Sequence, residues 1–418
     1  MNSQLTVHSA AKWIRDNAFS SNQVGRVGIE LEWLLVPDDS PDRRISVADV
    51  KACLEIDDGP LPAGGCVTFE PGGQLELSTA PADSLAECLD AAARDLQVLR
   101  DGAVRSSLTL LGRGLDHRRA ARVVDTPRTV ALERNYDHFG PYGRVVMYNS
   151  ASVQVNVDAG DDSSGPRGWR HRWWLANSLG PVLTAMFANS PFDLGTPERS
   201  RRQVLRFLTD PTRTDPLPLV EDPREAWADY VLDARVVGIA QSCPRTLEAP
   251  PPGLTMRQWL RGAGPRRARL DDLEHHLRSV LPPVRPRGHL ELRMIDAQEG
   301  DNWIVPVVTV SALLDDPYAF REVRRIAETL PLPSMRETWV TAARDAMGEP
   351  RFAEAAQRCM AIVIDALERM EVPGRVRPIV QRFAELYTFR ARCPADDHLT
   401  DRQPLSVAVA ASGGPTAL

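Results

Sequence analysis

The chain has 418 residues, 43% hydrophobic and 25% charged, an ordinary composition for a folded globular protein. Its net charge of −6 excludes a general attraction to nucleic acid or to an anionic membrane surface. Of the 50 basic residues only Lys12 and Lys51 are lysines and the rest are arginines, so most lysine-dependent chemistry has no residue to perform it.

The opening stretch, MNSQLTVHSAAKWIRDNAF, is polar and mixed. It lacks the apolar run of a secretory signal, and a cytoplasmic protein is expected. Residues 26–36 (RVGIELEWLLV) read as a strand. Residues 66–78 hold two short strand pieces around Pro71-Gly72-Gly73, which is strong turn chemistry. A helix is predicted over 84–105. Residues 144–158 (RVVMYNSASVQVNVD) read as one long strand with two-residue alternation at its end. The helix predicted over 168–189 is the most apolar, but Asn177, Ser178, Gly180 and Pro181 interrupt it. It is too short and too polar to span a bilayer.

Helices over 222–236 and 268–280 come next, with Pro-rich loops at 249–253 and 281–288. Residues 288–296 (GHLELRMID) form the last strand. Helical patterns at 303–315, 317–330, 335–347, 351–371 and 376–388 follow. Small and polar residues from Pro404 predict a disordered tail over 404–418, leaving 1–403 as one domain. Strands first and helices mostly later point to an α+β fold, in which an antiparallel sheet is covered by helices on one face.

Same-face spacing then gathers polar residues. In a strand, residues i and i+2 point to the same side. Glu30 and Glu32 share one face, opposite Ile29, Leu31 and Trp33. Gln154, Asn156 and Asp158 share another, opposite Val153, Val155 and Val157. Glu291 and Arg293 share a third, opposite Leu290, Leu292 and Met294, with His289 on the same side. Glu70 and Glu76 flank the turn. A half-exposed strand explains any one of these alternations, but glutamate is disfavoured in strands and here it recurs. Several glutamates on one face repel unless cations sit between them. Mg2+ prefers such oxygen ligands and bridges them to substrate phosphates, which predicts a magnesium–nucleotide site. Arg293 beside a metal carboxylate could clamp phosphate oxygens or simply pair with a strand glutamate.

The signatures of other common chemistries are missing. There is no phosphate-binding G-x-x-x-x-G-K-[ST] loop, and Gly112-Arg113-Gly114 is too short for a dinucleotide fingerprint. No H-E-x-x-H and no G-x-S-x-G occur. The six cysteines are scattered without a C-x-x-C pair, against a zinc site or a disulfide framework. His275-His276 lies on a predicted helix and reads as surface or core. Asp116 and His117 could form a pair.

The segments VGIELEWLL at 27–35, TFEPGGQLELSTAP at 68–81, YNSASVQVNVDAG at 148–160 and RGHLELRMIDAQEGDNWIVP at 287–306 resemble glutamate–cysteine ligases. The likeness is nearest to the actinobacterial branch that makes γ-glutamylcysteine for ergothioneine biosynthesis. It continues in DPTRTD at 210–215, PPGLTMRQWL at 251–260 and ARCPADD at 391–397. The resemblance implies a funnel-shaped antiparallel sheet related to the glutamine synthetase catalytic fold. It implies Mg2+ held by Glu30, Glu32, Glu70, Glu76, Gln154 and Glu291, with Arg293 on the phosphate of the co-substrate ATP. Arg113 and Asn156 are further candidate contacts for nucleotide or glutamate. The implied reaction activates the γ-carboxylate of L-glutamate as γ-glutamyl phosphate, which the amine of L-cysteine then attacks. The segment 231–244 departs from the branch, with Arg235 unusual there. It leaves open a γ-glutamyl ligase of secondary metabolism with a different amine acceptor.

Overall fold

A computed structural model of the protein describes residues 5–19, 25–193, 197–240, 246–330 and 334–400. The predicted tail at 404–418 and the end of the 231–244 segment lie outside the described residues. Seven strands build the main sheet: β1 (Val27–Pro37), β2 (Cys66–Phe69), β3 (Leu75–Ser78), β4 (Leu108–Leu111), β5 (Ser152–Asp158), β6 (Val284–Pro286) and β7 (His289–Asp296). Their order is β6-β7-β5-β1-β3-β2, and β4 pairs with the far half of β1. Every pairing is antiparallel and the sheet is open. This is the α+β architecture that the strand pattern predicts.

One face of the sheet is core. Ile29, Leu31, Trp33, Val153, Val155, Val157, Leu290, Leu292 and Met294 are all buried. Burying each such side chain contributes ~1.5–3 kcal/mol, so a one-residue slip of register would cost many such terms at once. Helix Trp169–Met186 packs on β7, Ile304–Asp315 on β5 and Leu85–Arg105 on β1, and helix Pro350–Ala366 covers the first two of these helices. No helix among the described residues is long and apolar enough to cross a membrane.

Two sequence readings are corrected. Residues 144–149 are not strand: Tyr142–Asn149 is a helix, and the strand begins at Ser152. The run VVMY, with two β-branched valines and a tyrosine, favours a strand locally, but Gly143 packs hard against Tyr136 of helix Pro127–Tyr136, and this tertiary contact wins. Residues 281–288 are not all loop, because Val284–Pro286 forms β6. Proline is tolerated there because β6 is an edge strand. Helix Pro127–Tyr136 carries its own start signal, with Thr126 capping the Thr129 amide and proline at the first turn.

Candidate active site

The other face of the sheet opens into a cavity of about 480 Å³. Helices Pro127–Tyr136 and Tyr142–Asn149 roof it, and helix Arg201–Phe207 walls it. Seven arginines and five glutamates line it.

Register places the glutamates. Glu32 on β1 stands opposite Glu76 on β3, and Glu30 stands opposite Gln154 on β5. Glu70 leaves the end of β2 at the Pro71-Gly72-Gly73 turn, closed by Gly73 N donating to Glu70 O at 2.8 Å. Gly73 has φ +85°, and any Cβ on Gly72 would lie 1.9 Å from Tyr148 O. The turn therefore needs both glycines, one for its backbone and one for its close approach to the roof. One carboxylate oxygen each from Glu32, Glu70 and Glu76 comes within 4.8 Å of the other two. Ser152 Oγ and Gln154 Nε2 both donate to Glu32 Oε1 at 2.8 Å. Thr68 Oγ1 donates to Glu76 Oε1 at 2.8 Å and Ser78 Oγ at 3.1 Å.

Burial raises the Glu70 carboxyl to about 7, helped by the negative charge of Glu32. Burial raises Glu76 to about 8, helped by Glu70 and Glu32. Glu30 is raised as well, by burial and then by Glu291. Three converging hard oxygen donors suit a divalent cation of the Mg2+ type.

Glu291 stands differently. Burial alone would raise it, but the guanidiniums of Arg293, Arg285 and Arg287 hold it at about 2. Its carboxylate lies 3.1 Å from Arg293 Nη1, 3.2 Å from Arg285 Nη1 and 3.3 Å from Arg287 Nη1. Arg285 reaches it from the directly opposite position on β6. In the described site, Glu291 anchors arginines and stands outside the converging carboxylate trio.

Arg293 sits where β7 bulges, between Leu292 and Ile295. The bulge re-aims its side chain into the cavity, where Nη1 also donates to Gln154 Oε1. Its carbonyl accepts from Arg202 Nη2 at 3.0 Å, so the irregular backbone is satisfied from the wall helix.

Known proteins share this sequence and this architecture. Residues 26–378 match the model of glutamate-cysteine ligase family 2. The chain belongs to that family. It is similar to glutamate–cysteine ligase EgtA of Mycobacterium tuberculosis, with 34% identity over 399 residues, covering 93% of this chain and 89% of the relative. It is also similar to EgtA of Mycolicibacterium smegmatis, with 35% identity over 405 residues, covering 94% and 90%. The crystal structure of a glutamate–cysteine ligase from Francisella tularensis in complex with AMP matches with a TM-score of 0.51. That match covers 91% of this chain and 86% of the other at 12% identity, and it is a likeness of fold.

In this glutamate–cysteine ligase family member, the cavity collects Glu30, Glu32, Glu70, Glu76, Gln154, Glu291 and Arg293. Asn156 lies beside it on β5, with Nδ2 3.4 Å from Glu30 Oε1 and Oδ1 3.1 Å from His289 Nε2. Arg113 is not brought there. Gly114 N donates to Asn189 O and Gly114 O accepts from Ala151 N, which pins the segment away from the cavity. Arg113 instead points to Glu299, at 3.6 Å. Asp116 pairs with Arg118 at 2.6 Å and with Arg44 at 3.5 Å. His276 is core, held neutral by burial and bonded to Val231 O.

Sequence reasoning missed the other arginines that line the cavity: Arg128, Arg202, Arg206, Arg278, Arg285 and Arg287. Arg206 is lowered to about 9 by burial and by the neighbouring charges of Arg202 and Arg293. The one usable signal was the four-residue spacing of Arg202 and Arg206, which puts them on one side of a helix.

Proposed function

We propose that this chain joins the γ-carboxylate of L-glutamate to the amine of L-cysteine, driven by ATP and with Mg2+, giving γ-glutamylcysteine. Ergothioneine biosynthesis is the destination that the resemblance to the actinobacterial branch implies. The observation that carries the reading is the presence in one cavity of both a converging set of carboxylates and a lining of arginines. Three carboxylates converge at one place, and seven arginines line the same space. A cation bound by the first and phosphates bound by the second would neutralise each other across the site.

Glu32, Glu70 and Glu76 would hold Mg2+, and Ser152, Gln154, Thr68 and Ser78 fix the rotamers of two of them by hydrogen bonds. Bound there, Mg2+ supplies charge neutralisation on the transferred phosphoryl group. Arg293, tied between Gln154 and Glu291, presents its guanidinium to the same group. Arg285 and Arg287 share the Glu291 carboxylate and keep the net charge of that wall positive. The γ-carboxylate oxygen of glutamate attacks the terminal phosphorus, and ADP leaves. The amine then attacks the acyl carbon and phosphate leaves. Leu132, Val146 and Met147 of the roof face the cavity and screen the acyl phosphate from water.

The test is ADP release in a panel of amines. Release should require glutamate, Mg2+ and an amine together, and cysteine should give the highest kcat/KM. Full turnover with another amine and none with cysteine would overturn the choice of acceptor. Full turnover without glutamate would overturn the reaction.

A further inference from the structure

We propose that Arg235, Val237 and Leu247 are positioning residues that hold the roof down over the cavity, so that activated glutamate meets the amine and not water. The inference rests on the ligase reading and adds to it residues that touch no substrate.

The roof is a closed excursion of the chain. Residues 116–149 leave after β4 and rejoin before β5 at one point. There Leu115 bridges Ser150, Asp116 N donates to Asn149 O at 2.8 Å, and Ala151 N donates to Gly114 O at 3.1 Å. The excursion carries its own hydrophobic cluster, separate from the main core, of Ala131, Leu132, Tyr136, Met147 and Tyr148. Leu132, Tyr136 and Met147 also line the cavity, so a shift of this cluster is a shift of the cavity wall.

Arg44 fixes the base of the excursion through Tyr148 O and Asn149 Oδ1. The turn between the two roof helices lies at the other end of the eight-residue helix Tyr142–Asn149, about 12 Å away. This end is held from outside. The Arg235 guanidinium lies over the ring of Phe139 in that turn, 4.8 Å from its centroid. Val237 completes the roof cluster and Leu247 packs against it. A Cβ on Gly238 would lie 3.0 Å from Leu247 Cβ and 3.4 Å from Ala131 Cβ, so the bare backbone there permits this close seat.

The clamp stands on a rigid base. Arg235 N donates to Thr212 Oγ1 at 3.2 Å, and Arg235 O accepts from Arg213 Nη2. Arg213 is fully buried and pairs with Asp210 at 2.8 Å. Asp210 also accepts from Asn135 Nδ2 of the first roof helix at 3.0 Å. Arg235, Val237 and Leu247 do not line the cavity, so their effect on it passes through the roof.

A loosened roof has a definite chemical consequence. Water attacks the acyl carbon of γ-glutamyl phosphate, phosphate leaves and glutamate is regenerated, so ATP is consumed without an amide.

The experiment measures ADP released in excess of amide, per amide formed, with glutamate, Mg2+ and saturating cysteine. The proteins are the wild type, Arg235→Met, Arg235→Lys, Phe139→Leu and Val237→Ala. Only folded molecules contribute to this ratio, so a variant that merely loses folded protein leaves it unchanged. Loss of a cation–π contact shifts an open–closed balance about two- to fivefold, and the excess should rise by that factor in Arg235→Met and Phe139→Leu. Val237→Ala should raise it too. Arg235→Lys keeps a cation over the ring and should stay near wild type. An excess equal to wild type in Arg235→Met, Phe139→Leu and Val237→Ala overturns the clamp and leaves the ligase reading standing. An excess as high in Arg235→Lys as in Arg235→Met overturns the part given to the cation. A wild type that releases no ADP with glutamate and cysteine overturns the ligase reading itself.

Discussion

Glu32 and Glu76 stand directly opposite each other on neighbouring antiparallel strands, and Glu70 joins them with an oxygen within 4.8 Å. Like charges in a cross-strand pair are destabilising. The fold nevertheless supports both carboxylates with hydrogen bonds from neutral side chains, Ser152 and Gln154 on Glu32 and Thr68 on Glu76. On the proposed function, that arrangement is kept at some cost in stability because Mg2+ would bind there.

Glu32→Gln and Glu76→Gln should each lower kcat/KM by about 100-fold or more, since preorganised charge at the reacting group is removed. Each should leave the melting temperature of the metal-free protein unchanged or raise it by about 2 °C, because the repulsion is relieved. Steady-state kinetics and calorimetry on the same preparations check both halves. Full activity in both variants would remove the metal assignment.

The pH dependence has a definite sign. Glu70 and Glu76 are raised from 4.5 to about 7 and about 8 by burial and by neighbouring carboxylates. The native state therefore binds these protons more tightly than the unfolded chain. Their contribution to stability is complete below about pH 4.5 and is lost as pH rises through about 7 to 8. On the proposed function, added Mg2+ would take the place of the protons. The rise in melting temperature on adding Mg2+ should thus be about 2–5 °C greater at about pH 8 than at about pH 6. An equal rise at both values would contradict the shared site.

Arg44 bolts the Glu70 turn in place. Its guanidinium donates to Gly72 O at 3.0 Å, Tyr148 O at 3.3 Å, Arg119 O at 3.2 Å and Asn149 Oδ1 at 3.2 Å, beside Asp116 at 3.5 Å. Arg44→Met should cost about 2–4 kcal/mol, because buried acceptors lose their donor. It should also weaken Mg2+ binding through Glu70. Arg44→Lys should restore only part of either, since a point charge cannot serve four acceptors in a plane. Denaturant unfolding and Mg2+ titration read the two effects separately.

Much of this site is legible in the sequence because strands have a period of two. Spacing alone announces a polar face on each strand, with Glu30 and Glu32 on one, Gln154 on another and Glu291 on a third, and the strand pairing joins them; Pro71-Gly72-Gly73 announces the turn beside Glu70. The arginines are not legible. In a chain whose basic residues are nearly all arginine, Arg285 and Arg287 look like any others until β6 lays Arg285 opposite Glu291. Pro282, Pro283 and Pro286, before and within β6, point to a loop, and only its edge position makes a strand possible. The roof is hidden for a similar reason: residues 144–149 have strand-forming side chains, and their helix is decided by packing against Tyr136. Arg113 misleads in the opposite direction, since nothing local reveals that hydrogen bonds at Gly114 turn the segment away.

The central claim is that the γ-carboxylate of glutamate is activated by phosphorylation in this cavity. Glutamate carrying 18O in that carboxylate, incubated with ATP, Mg2+ and cysteine, tests it most directly. The oxygen that attacks phosphorus leaves with it when the amine displaces phosphate. The account predicts one 18O atom in each inorganic phosphate released and an amide product retaining the other. Phosphate free of label, or label found in AMP, would contradict it.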